Sequence, residues 1–402
     1  MHNPKVEKIC IVGLGYIGLP TAALLASNQY KVHGVDISQH VVNTINKGEI
    51  HIIEPDLDGF VKNAVISGNL QASLEPIEAD VFIIAVPTPF HEGHKPNIDY
   101  VLKATQSIAP YVKDGNLVIL ESTSPVGTTE KVVATLESAG VNIQNIFAAY
   151  CPERVLPGKI MKELVENDRI VGGINEQSTQ RVVSFYKTFV KGEVLATNAK
   201  TAEMCKLTEN SYRDVNIAFA NELSMICDDA GINVWELIEL ANHHPRVKIL
   251  QPGAGVGGHC IAVDPWFIVA DFPTYSKVIK AAREVNDFKA QWVVEKIKNT
   301  ALQFELDNKR KPIVACMGLA FKPDIDDLRE SPAVQIATNL LTEGINIVCV
   351  EPNIHHHSSL PLIPLEQAVE KADIICYLVK HSAFLNFEPK NKISLNFCGI
   401  TN

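Results

Sequence analysis

The sequence predicts an α/β protein in three parts: a doubly wound parallel sheet, a central region of long helices, and a smaller α/β unit at the C-terminus. Three observations predict it. Apolar runs of strand length alternate with helical patterns through the first half of the chain. About thirty residues near the middle then carry an apolar rhythm of 3.6 residues with no proline. Beyond a polar bridge, the strand signals return.

The elements follow in order. KICIVG, KVHGVDI, DVFIIAV, NLVILES, NIFAAY, RIVGGI and EVLATN each read as a strand followed by a turn or helix signal. Strands spaced by helices imply βαβ units and a parallel sheet. TAEMCKLTENSYRDVNIAFANELSMICDDAGI then reads as one helix from about Thr201 to Gly231, and a second helix runs from about Tyr275 past Lys298. ELDNKRKP is the polar bridge, and IVACMGLAF, INIVCVEP, ADIICYLV and KISLNF are the strands of the last unit. The expected domains are 1–198, 199–304 and 305–402. No short tandem repeat is visible.

Composition bounds the function. At 46% hydrophobic and 20% charged residues, the 402-residue chain reads as soluble and globular. Its apolar runs are far short of a membrane span, and MHNPKVEK leads into the first strand without a signal-peptide pattern. Nine scattered cysteines without paired spacing suit free thiols in the cytoplasm. A net charge of −10 argues against nucleic acid, so any anionic ligand needs local basic residues.

Gly13, Gly15 and Gly18 form G-x-G-x-x-G, with Tyr16 and Ile17 inside the turn, directly after one strand and before a helix. Asp36 closes the next strand. That context makes the N-terminal sheet Rossmann-type, with dinucleotide phosphates on backbone N–H groups and a helix N-terminus. A carboxylate at Asp36 suits the ribose hydroxyls and repels a 2′-phosphate, so NAD is expected rather than NADP. Thr88 in AVPTPF and Thr123 in ESTSPVGTTE lie at strand ends and are expected near the nicotinamide; as plain turn residues or caps they would have no such role.

Lys206, Asn210 and Arg213 share one face of the long helix, and CPER after another strand offers Glu153. The stretch GAGVGGHCIAVDP puts Cys260 behind four glycines and ahead of Asp264. Its thiolate would be stabilised by glycine N–H groups and by the charge of Lys206. His259 is expected to be structural, since adjacent residues in extended chain point to opposite sides. His355, His356 and His357 read as a solvated turn, and no stretch has zinc-site spacing.

GLGYIGLP, AVPTP, ESTSPVGTTE, CPERVLPG, AEMCKLTEN, GAGVGGHCIAVDP and GLAFKPDIDDLRESP together resemble the nucleotide-sugar 6-dehydrogenase family over nearly the whole length. Members oxidise UDP-glucose, GDP-mannose and UDP-N-acetylhexosamines. The resemblance implies a four-electron oxidation of the sugar C6 alcohol with two NAD in sequence, in surface-polysaccharide precursor synthesis. It implies a UDP-N-acetylhexosamine substrate, the manno epimer before the gluco. Cys260 matches the nucleophile that carries a thiohemiacetal and then a thioester. Lys206 matches the lysine that handles the C6 proton, Asn210 its helper, and Glu153 and Asp264 the acids that order water. Arg154, Val155, Lys206, Asn210, Arg213, His244, Arg246, Gly257, Phe321 and Lys322 match substrate positions, and Arg329 one that reaches NAD. Arg246 resembles an arginine inserted into a neighbouring subunit, which implies a homodimer. The pattern breaks at Asn396-Phe-Cys-Gly399-Ile-Thr-Asn402, where relatives carry D-x-x-G and then a basic residue. The alternatives are a single-hydride β-hydroxyacid dehydrogenase, which has no use for Cys260, and a catalytically silent NAD-binding protein.

Overall fold

KICIV forms β1 (Lys8–Val12), buried at every residue after Lys8. A strand apolar on both faces needs cover on both sides, as in a doubly wound sheet. Seven more strands complete that sheet: β2 (Lys31–Val35), β3 (Leu70–Ser73), β4 (Val81–Ile84), β5 (Leu117–Leu120), β6 (Phe147–Tyr150), β7 (Arg169–Gly173) and β8 (Val194–Asn198). Their order is β3-β2-β1-β4-β5-β6-β7-β8. The chain returns past β1 between β3 and β4, so the carboxyl ends of β1 and β4 flank the switch point where such sheets bind ligands. The Gly18–Ser27 helix packs there with every residue but Ser27 buried. The computed structural model describes residues 7–258, 260–385, 387 and 391–400.

Two features of this sheet depart from the sequence expectation. β3 (LQAS) is a strand the apolar pattern does not announce, because it is a short edge strand that buries just Leu70 and Ala72. The sheet is also not wholly parallel: β7 runs antiparallel to β6, with Gly172 opposite Tyr150, and β8 is parallel to β7.

The chain divides into two compact units, Met1–Thr208 and Glu209–Asn402, and the boundary falls inside one continuous helix, Ala199–Ala230. In the second unit β9 (Val314–Met317), β10 (Ile347–Val350), β11 (Ile374–Tyr377) and β12 (Ile393–Asn396) form a parallel sheet in the order β10-β9-β11-β12. The Lys277–Asn308 helix packs Val293, Val294 and Ile297 into that core. Each such side chain contributes about 1.5–3 kcal/mol. This helix absorbs the ELDN of the expected polar bridge and ends at Lys309 with φ 56°.

A buried polar chain ties the second unit's helices to its glycine loop. The Arg283 guanidinium pairs with Asp214 at 2.7 Å, and Asn286 donates to the same carboxylate at 2.8 Å. Asn221 donates to Asn286 at 2.8 Å and accepts from the N–H of Gly253 at 2.9 Å. Among the described residues no helix is long and apolar enough to cross a membrane, and no group of side chains is arranged to hold a metal ion.

Candidate active site

The first unit builds a dinucleotide cradle from three glycines with three different reasons. Gly13 turns with φ 95° and donates to Val35 O at 2.8 Å; a Cβ there would lie 2.6 Å from Ala85 O. At Gly18 a Cβ would lie 1.8 Å from Gly13 O, so strand and helix meet there without room for a side chain. Around Gly15 a Cβ would find nothing within 4 Å. That open backbone, with Ile17 capping the helix start without a side-chain bond, fits a pyrophosphate. Tyr16 packs half-buried beside it. Asp36 accepts from the N–H of Leu14 at 3.1 Å and of Ser38 at 2.9 Å, which fixes its carboxylate at the end of β2 beside the turn.

The two threonine loops meet: Thr88 donates its hydroxyl to Thr123 O at 2.7 Å. The Thr123 side chain is half-buried. Glu203, which no motif reading selected, accepts from Gly127 N at 2.6 Å and from Thr129 N and Oγ1 at 2.7 Å each. Burial pushes its carboxyl up. It anchors the helix that follows the ESTSPVG turn.

Glu153 lies in the same unit, buried, with Oε2 2.7 Å from the Arg169 guanidinium and Oε1 accepting from Arg154 N at 2.7 Å. Arg154 in turn donates through Nη1 to Asp168 O at 3.1 Å, beside a half-buried Val155. Lys206 is 9% exposed and has no hydrogen bond or ion pair among the described residues. A buried lysine amine with its hydrogen-bonding capacity unspent is suited to a substrate oxygen and its proton.

In the second unit Cys260 is half-exposed, and its carbonyl accepts from Val263 N at 3.0 Å and Asp264 N at 2.8 Å. The cysteine therefore sits one turn ahead of the Asp264–Asp271 helix. Asp264 is buried, and Asn210 donates to its Oδ2 at 2.5 Å. The glycines before Cys260 serve packing first. A Cβ on Gly257 would lie 2.5 Å from Glu330 O, and one on Gly258 2.9 Å from the Phe321 ring. Two of their amides are already engaged: Gly253 N donates to Asn221 at 2.9 Å and Gly258 N to Arg329 O at 3.1 Å. His259 lies outside the described residues.

The loop with Phe321 and Lys322 is held by a buried pair that sequence reading missed. His381 Nε2 lies 3.0 Å from Glu351, whose carboxylate also accepts from Leu319 N at 2.7 Å and Ala320 N at 2.9 Å. Burial raises Glu351, but these hydrogen bonds outweigh it and leave the carboxyl below its usual value. Neither partner lies in a glycine motif, so no local signal marks them. Phe321 is half-buried, and Arg213, His244, Arg246, Lys322 and Arg329 are exposed. Arg329 is clamped by Asp327 through Nε at 3.0 Å and Nη2 at 2.6 Å. His355 and His356 are exposed and His357 half-buried, in a turn. The departure at the C-terminus has a structural answer: Asn396 Oδ1 accepts from Gly399 N at 2.9 Å and Ile400 N at 3.1 Å, capping the turn as an acid would. Asn402 lies outside the described residues.

A Rossmann-type sheet with an NAD cradle, joined to a second α/β unit bearing a half-exposed cysteine, defines the class: an NAD-dependent dehydrogenase. Three family models match in order: the UDP-glucose/GDP-mannose dehydrogenase NAD binding domain at residues 7–190, its central domain at 200–288 and its UDP binding domain at 315–396. The chain belongs to the UDP-glucose/GDP-mannose dehydrogenase family. It is 54% identical over 412 residues to a UDP-N-acetyl-D-mannosamine dehydrogenase of Campylobacter jejuni, covering 98% of this chain and 100% of that one. It is 56% identical over 403 residues to the enzyme of that name from Escherichia coli (strain K12), with 94% of each covered. A solved UDP-D-ManNAc dehydrogenase from Pyrococcus horikoshii superposes with a TM-score of 0.88 at 39% identity, over 98% of this chain and 96% of that one.

Proposed function

We propose that this enzyme oxidises the C6 alcohol of UDP-N-acetyl-D-mannosamine to the uronate in the synthesis of bacterial surface-polysaccharide precursors. The observation that carries the reading is Cys260, half-exposed one helical turn ahead of Asp264, whose carboxylate Asn210 holds. Gly13, Gly15, Gly18 and Asp36 would hold NAD, which would supply the hydride acceptor for each of the two oxidations. Lys206 holds the C6 oxygen and takes its proton as the alcohol becomes an aldehyde. The thiol of Cys260 then adds to the C6 carbon, its proton passing to the oxygen, to give a thiohemiacetal; stabilising that oxygen is the role read for Lys206 and Asn210. Loss of the second hydride leaves a thioester. Water ordered by Glu153 and Asp264 cleaves the C–S bond, so acid and free thiol result. A reaction that needs a tether between two oxidations explains why an ordinary one-hydride dehydrogenase site is not enough.

The assignments to residues 1–198 for NAD, 199–304 for the helical region and 305–402 for the UDP-sugar belong to the same reading. Arg154, Arg213, Arg246 and Lys322 supply positive charge for the diphosphate in a chain of net charge −10, and His244 is read as a further substrate contact. A second copy of the chain is the expected partner: Tyr212, Phe219 and Ile226 are exposed at seven-residue intervals on the long helix, a seam suited to helix pairing. Phe219→Glu is then expected to give monomers by light scattering, and an unchanged mass would remove the seam. Free thiols among the described residues favour the cytoplasm. Cell fractionation checks that location.

The substrate is tested by counting NADH per sugar and comparing epimers. Two NADH per UDP-N-acetylmannosamine are expected, with a higher kcat/KM than for the gluco epimer. An epimer differs by one or two hydrogen bonds, worth on the order of a few kcal/mol. Faster turnover of the gluco sugar would reassign the substrate; one NADH per sugar would remove the tether.

A further inference from the structure

The reversal of β7 has a chemical consequence. Were β7 parallel to β6, its first residue would lie at the amino end of the sheet. Running antiparallel, with Gly173 opposite Ala149 and Gly172 opposite Tyr150, its register continued past Tyr150 sets Arg169 opposite Glu153. The contact is made: Nη1 of Arg169 lies 2.7 Å from Glu153 Oε2, and Nη2 donates to Leu164 O at 3.2 Å. Arg169 is 2% exposed, and its guanidinium lies 5.5 Å from the centre of the Tyr186 ring. The Tyr186 hydroxyl donates at 2.7 Å to Glu121, the first residue of the ESTSP turn. Two buried carboxyls thus share one buried cation. Glu121, pushed up to about 7 by burial, hydrogen-bonds the tyrosine, and Glu153 takes the ion pair. Removing one partner from such a pair leaves a charge uncompensated, so the pair holds its geometry firmly.

We propose that Arg169 is a positioning residue of the reaction, holding the Glu153 carboxylate in one orientation for its part in thioester hydrolysis. The proposal rests on the reading of Glu153 as the acid that orders that water. Arg169, 2% exposed, acts through Glu153, and a misplacement of about 1 Å at such a group costs roughly a hundredfold in rate.

The test separates hydrolysis from the two oxidations in the full-length enzyme. Under rapid mixing, Glu153→Gln and Arg169→Met are each expected to release a burst of two NADH per site at the wild-type rate. Steady turnover then slows roughly a hundredfold, and the acid-quenched protein carries the sugar acyl mass on Cys260. NAD affinity by fluorescence stays at the wild-type value. Arg169→Lys, which keeps the charge without the fork, should fall between, and it serves also if the methionine variant does not fold. A burst in Glu153→Gln with none in either Arg169 variant would overturn the role of Arg169 alone. No burst in Glu153→Gln would overturn the reading of Glu153, and this proposal with it. Uniform slowing of the burst and the steady rate in the Arg169 variants would mark a merely structural residue.

Discussion

Cys260 and Asp36 are residues whose neighbours decide what their loss should do. Cys260 gives its backbone carbonyl to the helix start, a contact that replacing the sulfur does not touch. Cys260→Ser is expected to bind UDP-sugar and NAD normally by calorimetry and to lose acid formation by at least about a thousandfold. Acid made at near wild-type rate would exclude the thioester. Asp36 is bound to the N–H of Leu14 and of Ser38, so its removal both loosens the glycine turn and frees the ribose pocket from negative charge. Asp36→Ala should weaken NAD by on the order of tenfold to a hundredfold, the equivalent of about 1–3 kcal/mol. The preference over NADP should narrow with it, read from initial rates with both cofactors. Both residues were legible in the sequence, because each sits in a motif whose chemistry is local. Arg169 was not. It is an ordinary strand residue until β7 folds back against Glu153.

At the scale of the element, three glycines that look alike in G-x-G-x-x-G separate into packing and binding. Gly18→Ala would put a methyl 1.8 Å from Gly13 O, and the helix after β1 would have to move. Gly15→Ala meets nothing within 4 Å and requires no unusual φ. The first is therefore expected to lower the thermal midpoint sharply. The second should leave stability within about 0.5 kcal/mol while weakening NAD severely, since the methyl occupies the phosphate's approach. Equal losses of stability in the two variants would show that Gly15 is also a packing residue. The sequence pattern found the strands with strong apolar runs and both long helices. It missed β3, which buries just Leu70 and Ala72, and it missed the direction of β7. Direction depends on where the connecting chain lands, which no strand's own composition records.

Across the whole molecule, each unit carries a buried titratable group whose burial opposes the charged form, and the two act at opposite ends of the pH range. Glu121 is raised from 4.5 to about 7 by burial, so folding favours its protonated form. Its contribution is fully present below pH 4.5 and is lost as pH rises to about 7, a cost on the order of 3 kcal/mol. Lys289 in the second unit is lowered from 10.5 to about 7, again chiefly by burial, although it donates to Ser224 at 2.7 Å and stacks on Trp292. Its penalty is present below pH 7 and is relieved as pH rises toward 10.5. In thermal unfolding, the gain of Glu121→Gln over wild type should therefore be larger at pH 8 than at pH 5.5. The change produced by Lys289→Met should be more favourable at pH 6 than at pH 9. Differences that do not vary with pH would show that both groups titrate normally in the folded protein.

By itself the sequence determined the two α/β units, the long helices, the NAD fingerprint with its acid, and the cysteine in its glycine run. All of these are written in spacings of a few residues, where backbone geometry is set by neighbours in the chain. The tertiary structure alone decided what stands behind them: Arg169 on Glu153, Glu351 and His381 under the Phe321 loop, and Asp214 with Arg283 between the helices. These partners lie 16, 30 and 69 residues apart. A buried charge takes whichever opposite charge the fold brings within reach, and distance along the chain does not carry that choice.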